Sequence, residues 1–157
     1  MTETSPPPGV TVATVLRDLA DSRALDVELL AGADGLGRHI TIPHTQKTGL
    51  ALSGFDAYLR GGRVLVFGES EVRYLEALEA GARTVVLRRV LSHDLPCLLI
   101  TDGFAPPPEL PVEADRARVP LLRTRAATPE AMARMSAVLD TYLAARGIIH
   151  GVLMDIL

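Results

Sequence analysis

The side chain best suited to proton transfer is His150. It lies in the run Ile149-His150-Gly151-Val152-Leu153-Met154-Asp155-Ile156-Leu157, with Asp155 further along. An imidazole titrates near neutrality and can pass a proton to or from an oxygen. The run itself is β-branched and aliphatic and reads as a buried strand, where a lone His is by default a hydrogen-bonded core group. Gly32, Gly35 and Gly37 invite a phosphate-loop reading. Their spacing is the reverse of the dinucleotide fingerprint, however, and they join two strand-like segments. A hairpin turn that needs positive φ is the better account. His39 and His44 could ligate a metal, yet no Cys or carboxylate stands at metal-ligand spacing, so exposed or hydrogen-bonded roles are expected.

Cys97 is the only cysteine. It follows Pro96 in an apolar stretch and reads as a small buried hydrophobe. A single thiol permits no intrachain disulfide and fits a reducing cytoplasm. Arg88-Arg89 and Arg123/Arg125 could hold an anion, with charged surface as the default, and Ser70 reads as a helix cap. Lys47 is the only lysine. A P-loop needs Gly-x-x-x-x-Gly-Lys-Ser/Thr, because backbone amides cradle the phosphates while Lys neutralises them. Gln46 precedes Lys47-Thr48 where that motif requires Gly, so this chain contains no P-loop.

The elements that must position these residues can be read from periodicity. At 157 residues the chain can bury a core, and with only three Phe and three Tyr that core is built from Leu, Val, Ala and Ile. A net charge of −3 argues against a general nucleic-acid binder. No apolar run reaches the length of a membrane span, and the N-terminus lacks the basic and apolar regions of a signal peptide. Residues 1–9, with Pro6-Pro7-Pro8, are expected to form a mobile, disordered tail. Thr11 caps a helix whose Val12, Val15, Leu16 and Leu19 share a face. Strands are expected over 25–30 and 38–42, with a loop from Pro43 to Gly54 that has a helical turn at 50–53.

Beyond Gly61 the pattern predicts strand 63–67, helix 71–80, helix 82–91, strand 97–101, helix 109–116 weakened by Pro111, and strand 119–122. The best-marked helix opens with Thr128 and Pro129 and closes at Arg146-Gly147. This alternation implies an α/β fold: a small, mostly parallel sheet flanked by helices, with an N-terminal β-hairpin.

Several strings, in order, resemble one family. Gly35-Leu36-Gly37-Arg38-His39-Ile40 is similar to a Gly-Leu-x-Arg-x-Ile turn, and Gly49-Leu50-Ala51-Leu52-Ser53-Gly54-Phe55 to a Gly-Leu-x-Leu-x-Gly-Phe segment. Arg63-Val64-Leu65-Val66-Phe67-Gly68, Pro96-Cys97 to Thr101, and Val119-Pro120-Leu121-Leu122-Arg123-Thr124 follow, and then Ile149-His150-Gly151-Val152-Leu153-Met154-Asp155-Ile156. Together they resemble the N-terminal domain and the first kinase-domain strand of HPr kinase/phosphorylase. One departure is Lys47-Thr48-Gly49 where the family usually has Arg-Pro-Gly.

The resemblance implies a domain over 10–146 similar in architecture to Mur ligase N-terminal domains, followed by the start of a C-terminal kinase domain at 147–157. It also implies a bifunctional parent enzyme that phosphorylates and dephosphorylates a serine of HPr in carbon catabolite regulation. That parent would be a cytoplasmic homo-oligomer using ATP or pyrophosphate with Mg2+, its P-loop lying beyond this sequence. His150 would then belong to the active site of the full-length enzyme, with no cofactor or metal site in the present chain and no nucleic-acid or membrane partner. The competing expectation is a non-catalytic regulatory or ligand-sensing module that shares this domain.

Overall fold

The structure, a computed structural model, describes residues 9–54, 59 and 61–156; the side chains of Leu50 and of 144–156 lie outside that description. The tail expected over 1–9 falls almost wholly outside the described residues.

Among the described residues, thirteen regular elements carry the fold, besides a 3-10 turn at Ala33–Gly35. They are β1 (Val10–Thr11), α1 (Val12–Ser22), β2 (Val27–Ala31), β3 (His39–Ile40), β4 (Gln46–Lys47), α2 (Gly49–Leu52), β5 (Leu65–Phe67), α3 (Glu69–Ala77), α4 (Ala80–Leu91), β6 (Leu98–Ile100), α5 (Glu109–Ala117), β7 (Leu121–Thr124) and α6 (Thr128–Ile156). A five-stranded sheet has the order β2-β7-β6-β5-β4. Its β4, β5, β6 and β7 run parallel, and β2 joins β7 antiparallel at one edge. The mixed α/β fold with a mostly parallel sheet is therefore present as expected.

An N-terminal antiparallel pair is also present, but its strands are β1 and β3, with Val10 opposite Ile40 and Thr11 opposite His39. The segment around 27–31, expected as the hairpin partner of 38–42, instead pairs with β7. The reason is visible at the intervening turn. A Cβ on Gly32, whose φ is +77°, would lie 2.0 Å from the Val119 carbonyl oxygen, and one on Gly35 would lie 2.0 Å from that of Arg118. The turn is seated against the α5–β7 connection, which draws β2 alongside β7. Local spacing announces a turn but does not choose which strand will sit beside it.

The strands alternate between two apolar layers, as period 2 requires. Leu65, Phe67, Leu98, Ile100 and Leu121 face α2 to α5, joining Leu75, Leu87 and Leu110. Val64, Cys97, Leu99 and Leu122 face α1 and α6, meeting Val15, Leu19, Met135 and Leu139. α1 opens on Thr11, whose hydroxyl accepts the Thr14 amide at 3.2 Å. The helix expected over 82–91 is α4. Pro111 does not weaken α5, because it occupies the helix's third position; an amide there has no intrahelical acceptor to lose.

Two further expectations are corrected. The loop predicted over 43–54 contains the edge strand β4, too short and polar to show a period. And α6 does not stop at Gly147. It continues as helix to Ile156, where a strand was expected. A strand draws its hydrogen bonds from a neighbour, whereas a helix satisfies them internally. Extending an existing helix needs no new nucleus, and glycines such as Gly147 and Gly151 cost only about 1 kcal/mol each.

Candidate functional site

In open α/β sheets, ligand chemistry concentrates beyond the carboxyl ends of the parallel strands, where successive connections pass to opposite faces. Here that change falls between β6, followed by α5 in one layer, and β7, followed by α6 in the other. Residues from four elements meet at this rim. Lys47 ends β4, Gly68 follows β5, Thr101 and Asp102 follow β6, and Thr128 opens α6. Gly68 is their junction. A Cβ there would stand 2.9 Å from Thr128 Oγ1, 3.3 Å from Lys47 Nζ and 3.4 Å from Glu71 Oε1.

The charges at the rim are settled internally. The Glu71 carboxylate is 1 % exposed and lies 3.3 Å from the half-exposed Lys47 ammonium. Its Oε1 also accepts the Gly68 amide at 2.9 Å and the Ser70 hydroxyl at 3.1 Å. It thereby caps the N-terminus of α3, where a negative charge is favoured. Beside it, the Thr101 and Thr128 hydroxyls share a 2.6 Å bond, and each lies 3.3 Å from Asp102 Oδ2, which accepts from whichever hydroxyl does not donate to the other. Asp102 itself holds a left-handed backbone, φ 59°. The rim therefore positions two carboxylates, an ammonium and three hydroxyls, and already uses them on one another. Sequence reading missed Lys47–Glu71 and the Thr101–Asp102–Thr128 triangle. The available signals were a solitary lysine at a strand end and a polar Thr-Asp-Gly closing an apolar strand.

The residues singled out from sequence are scattered. His150 and Asp155 are carried on the C-terminal part of α6, and their side chains lie outside the described ones. His39 and His44 are both exposed. Among the described residues, no group of three or more His, Cys, Asp or Glu is placed to hold a metal. Cys97 is fully buried, and desolvation pushes its thiol up to about 12, so it stays protonated and unreactive. Ser70 is inside the first turn of α3, its hydroxyl on Glu71 rather than capping the backbone. Arg88 pairs with buried Glu113 at 3.0 Å, and Arg123 with Glu28 at 2.7 Å. Thr48, in the position of the family's Pro, is buried and donates to the Val66 carbonyl at 2.8 Å.

Arg38, in the glycine-rich turn motif, proves to be a staple. It donates to the carbonyls of Arg118 at 2.6 Å, Ala117 at 3.1 Å and Leu95 at 3.2 Å. Two of these lie at the C-terminal end of α5, where a cation complements the helix dipole.

Fold and rim together define a small α/β domain with a mostly parallel sheet, helices on both faces and a closed polar network at the carboxyl end. The family described as HPr Serine kinase N terminus matches residues 10–139, and the chain belongs to that family. The HPr kinase/phosphorylase of Geobacter sulfurreducens is 34 % identical over 148 residues, which cover 93 % of this chain and 46 % of the relative. That of Treponema pallidum (strain Nichols) is 34 % identical over 88 % of this chain and 44 % of its own length. The Leptospira biflexa protein is 32 % identical over 96 % and 46 %. The chain thus spans less than half the length of these relatives. Among solved structures, the CBS and DRTGG domains of the regulatory region of Clostridium perfringens pyrophosphatase, complexed with its activator diadenosine tetraphosphate, share the fold. The TM-score is 0.54 at 13 % identity, over 86 % of this chain and 52 % of that one.

Proposed function

We propose that this chain is the N-terminal domain of a bifunctional HPr(Ser) kinase/phosphorylase, an enzyme that phosphorylates HPr and removes that phosphate in carbon catabolite regulation. The observation that carries the reading is coverage: relatives of that name align with 93 % of this chain but with only 46 % of themselves. Phosphoryl transfer rests on positioning phosphates and Mg2+. The residues here do not fit that task, since Lys47, the only lysine, is engaged with Glu71 beside Gln46 and Thr48 rather than in a glycine-rich loop. ATP or pyrophosphate and Mg2+ therefore belong to a C-terminal kinase domain, and the 147–157 segment opens it. His150 acts there near the phosphates, in a cytoplasmic homo-oligomer. No helix among the described residues is long and apolar enough to cross a membrane.

Two measurements test this. Incubated with HPr and labelled ATP, the 157-residue chain should leave HPr unlabelled, whereas a protein joining it to the C-terminal half of a relative should label it. In that joined protein, His150→Ala should lower turnover by about a hundredfold or more, the range of a lost general acid–base group. Labelling by the short chain, or full activity of the variant, contradicts the respective assignment.

A further inference from the structure

We propose that the cavity at the amino end of the sheet, framed by Arg38, His39, Thr41, Gly62 and Asp94, binds a small anion through a head group with two oxygens, a carboxylate or a phosphate. This inference rests on the chain's own geometry and does not depend on the phosphotransfer reading. The cavity is of about 480 Å³, within the usual range of small-ligand sites, roughly 300–1,000 Å³. It lies before β5 and β6, at the end of the sheet opposite the closed rim.

The guanidinium of Arg38 is the fixed cation of the site. It has five N–H donors. One on Nε, one on Nη1 and one on Nη2 are committed to the carbonyls of Arg118, Leu95 and Ala117. These bonds hold the plane rigidly and consume no formal charge. Two donors remain, one on each terminal nitrogen, the number a carboxylate or phosphate takes in a bidentate contact. The nearest formal negative charge is Asp94 Oδ1, 3.7 Å from Nη1, too long for a hydrogen bond. The Asp94 side chain is 95 % exposed, so this counter-charge can be displaced without unburying anything.

The cavity wall is built to stay open. Gly62 has φ +82°, and a Cβ there would fall 2.0 Å from Thr41 Oγ1. Its backbone joins all three segments of the site, accepting from the Thr41 amide at 2.9 Å and donating to the Asp94 carbonyl at 3.3 Å. A hydroxyl, an exposed imidazole and a fixed cation thus border one concavity, with a single weakly held carboxylate as competitor. The contrast with Arg88 and Arg123, whose carboxylate partners stand within 3.0 Å, is what singles Arg38 out.

The test is titration of the 15N-labelled chain with inorganic phosphate and, separately, with malonate, at ionic strength held constant with sodium chloride. Saturable amide shifts at His39, Gly61 and Gly62 are expected, and the probe that saturates first identifies the head group. Asp94→Asn removes the competitor and should tighten binding about fivefold, the factor that one unit charge about 4 Å away contributes in water. Arg38→Lys keeps the charge and loses the fork. It should weaken binding at least tenfold, and its amide dispersion reports whether the fold survives. His39→Gln, on an exposed edge position, should weaken binding without that risk. Shifts that stay linear in anion concentration would overturn the proposal, as would an Asp94→Asn affinity equal to that of the parent chain.

Discussion

The two ends of the parallel sheet hold similar chemical groups in opposite states. At the carboxyl end, Lys47, Glu71, Ser70, Thr101, Asp102 and Thr128 are bonded to one another. At the amino end, Arg38 is anchored only by neutral carbonyls, with Asp94 at 3.7 Å and largely in solvent. Fold-level experience points to the carboxyl end as the place for ligands. The bonding points the other way. A buried carboxylate needs its partners to exist at all, so a closed network stabilises the domain, while donors left over at a rigid cation can serve something else.

Substitutions can break this contrast, beginning with one that damages both ends. Leu139 of α6 is fully buried against the layer that holds Leu99 and Leu122. Leu139→Ala should cost about 2–5 kcal/mol, a large share of a domain's roughly 5–15 kcal/mol, and should lower the urea midpoint accordingly. An unchanged midpoint would mean that α6 does not clamp the sheet.

The next change separates the ends. Lys47→Met leaves Glu71 buried with only the Gly68 amide and Ser70 hydroxyl, and should cost about 1–2 kcal/mol, the lower part of the range for an uncompensated buried charge because the ammonium is half exposed. Arg73→Met removes exposed pairs with Glu69 and Glu76 and should stay within about 0.5 kcal/mol. If both variants melt alike, the closed rim is no more than surface charge.

The smallest effect is one of pH. The Arg83 guanidinium, 2.6 Å from Glu109, holds that carboxyl below its usual range, chiefly by hydrogen bonding. A carboxyl depressed on folding binds its proton more readily in the unfolded chain, so stability falls as pH falls. The contribution is complete above the ordinary Glu value, about 4.3, and disappears as acid protonates the folded group. Glu109→Gln should therefore flatten the dependence of the denaturation midpoint on pH below that value. An identical slope in both proteins would show that the pair is not coupled to folding.

Much of this was legible in the residues themselves. Thr11 with Val12, Val15 and Leu19, Thr128-Pro129, and the apolar runs at 65–67 and 98–100 mark their elements because caps and periodicity act within a few residues. The ordered strings from Gly35 to Thr124 led to the correct family. The helix expected over 82–91 is present, as its spacing favoured. Gly32 and Gly35 were rightly read as a turn, with positive φ at Gly32, but the turn does not close a hairpin.

Tertiary structure decided the rest. Which strand lies beside β2 depends on the Val119 and Arg118 carbonyls, more than eighty residues away, that leave no room for a Cβ. Whether Ile149 to Ile156 is strand or helix depends on what is available to pair with it, because an aliphatic run satisfies either geometry. Above all, no spacing in the sequence reveals that Lys47 meets Glu71 while Arg38 keeps two donors free. Charge compensation depends on distances of a few ångströms between segments that only folding brings together. Sequence alone determined the family, the α/β class and the starts of α1, α5 and α6; the packed sheet determined which polar groups are used up and which remain.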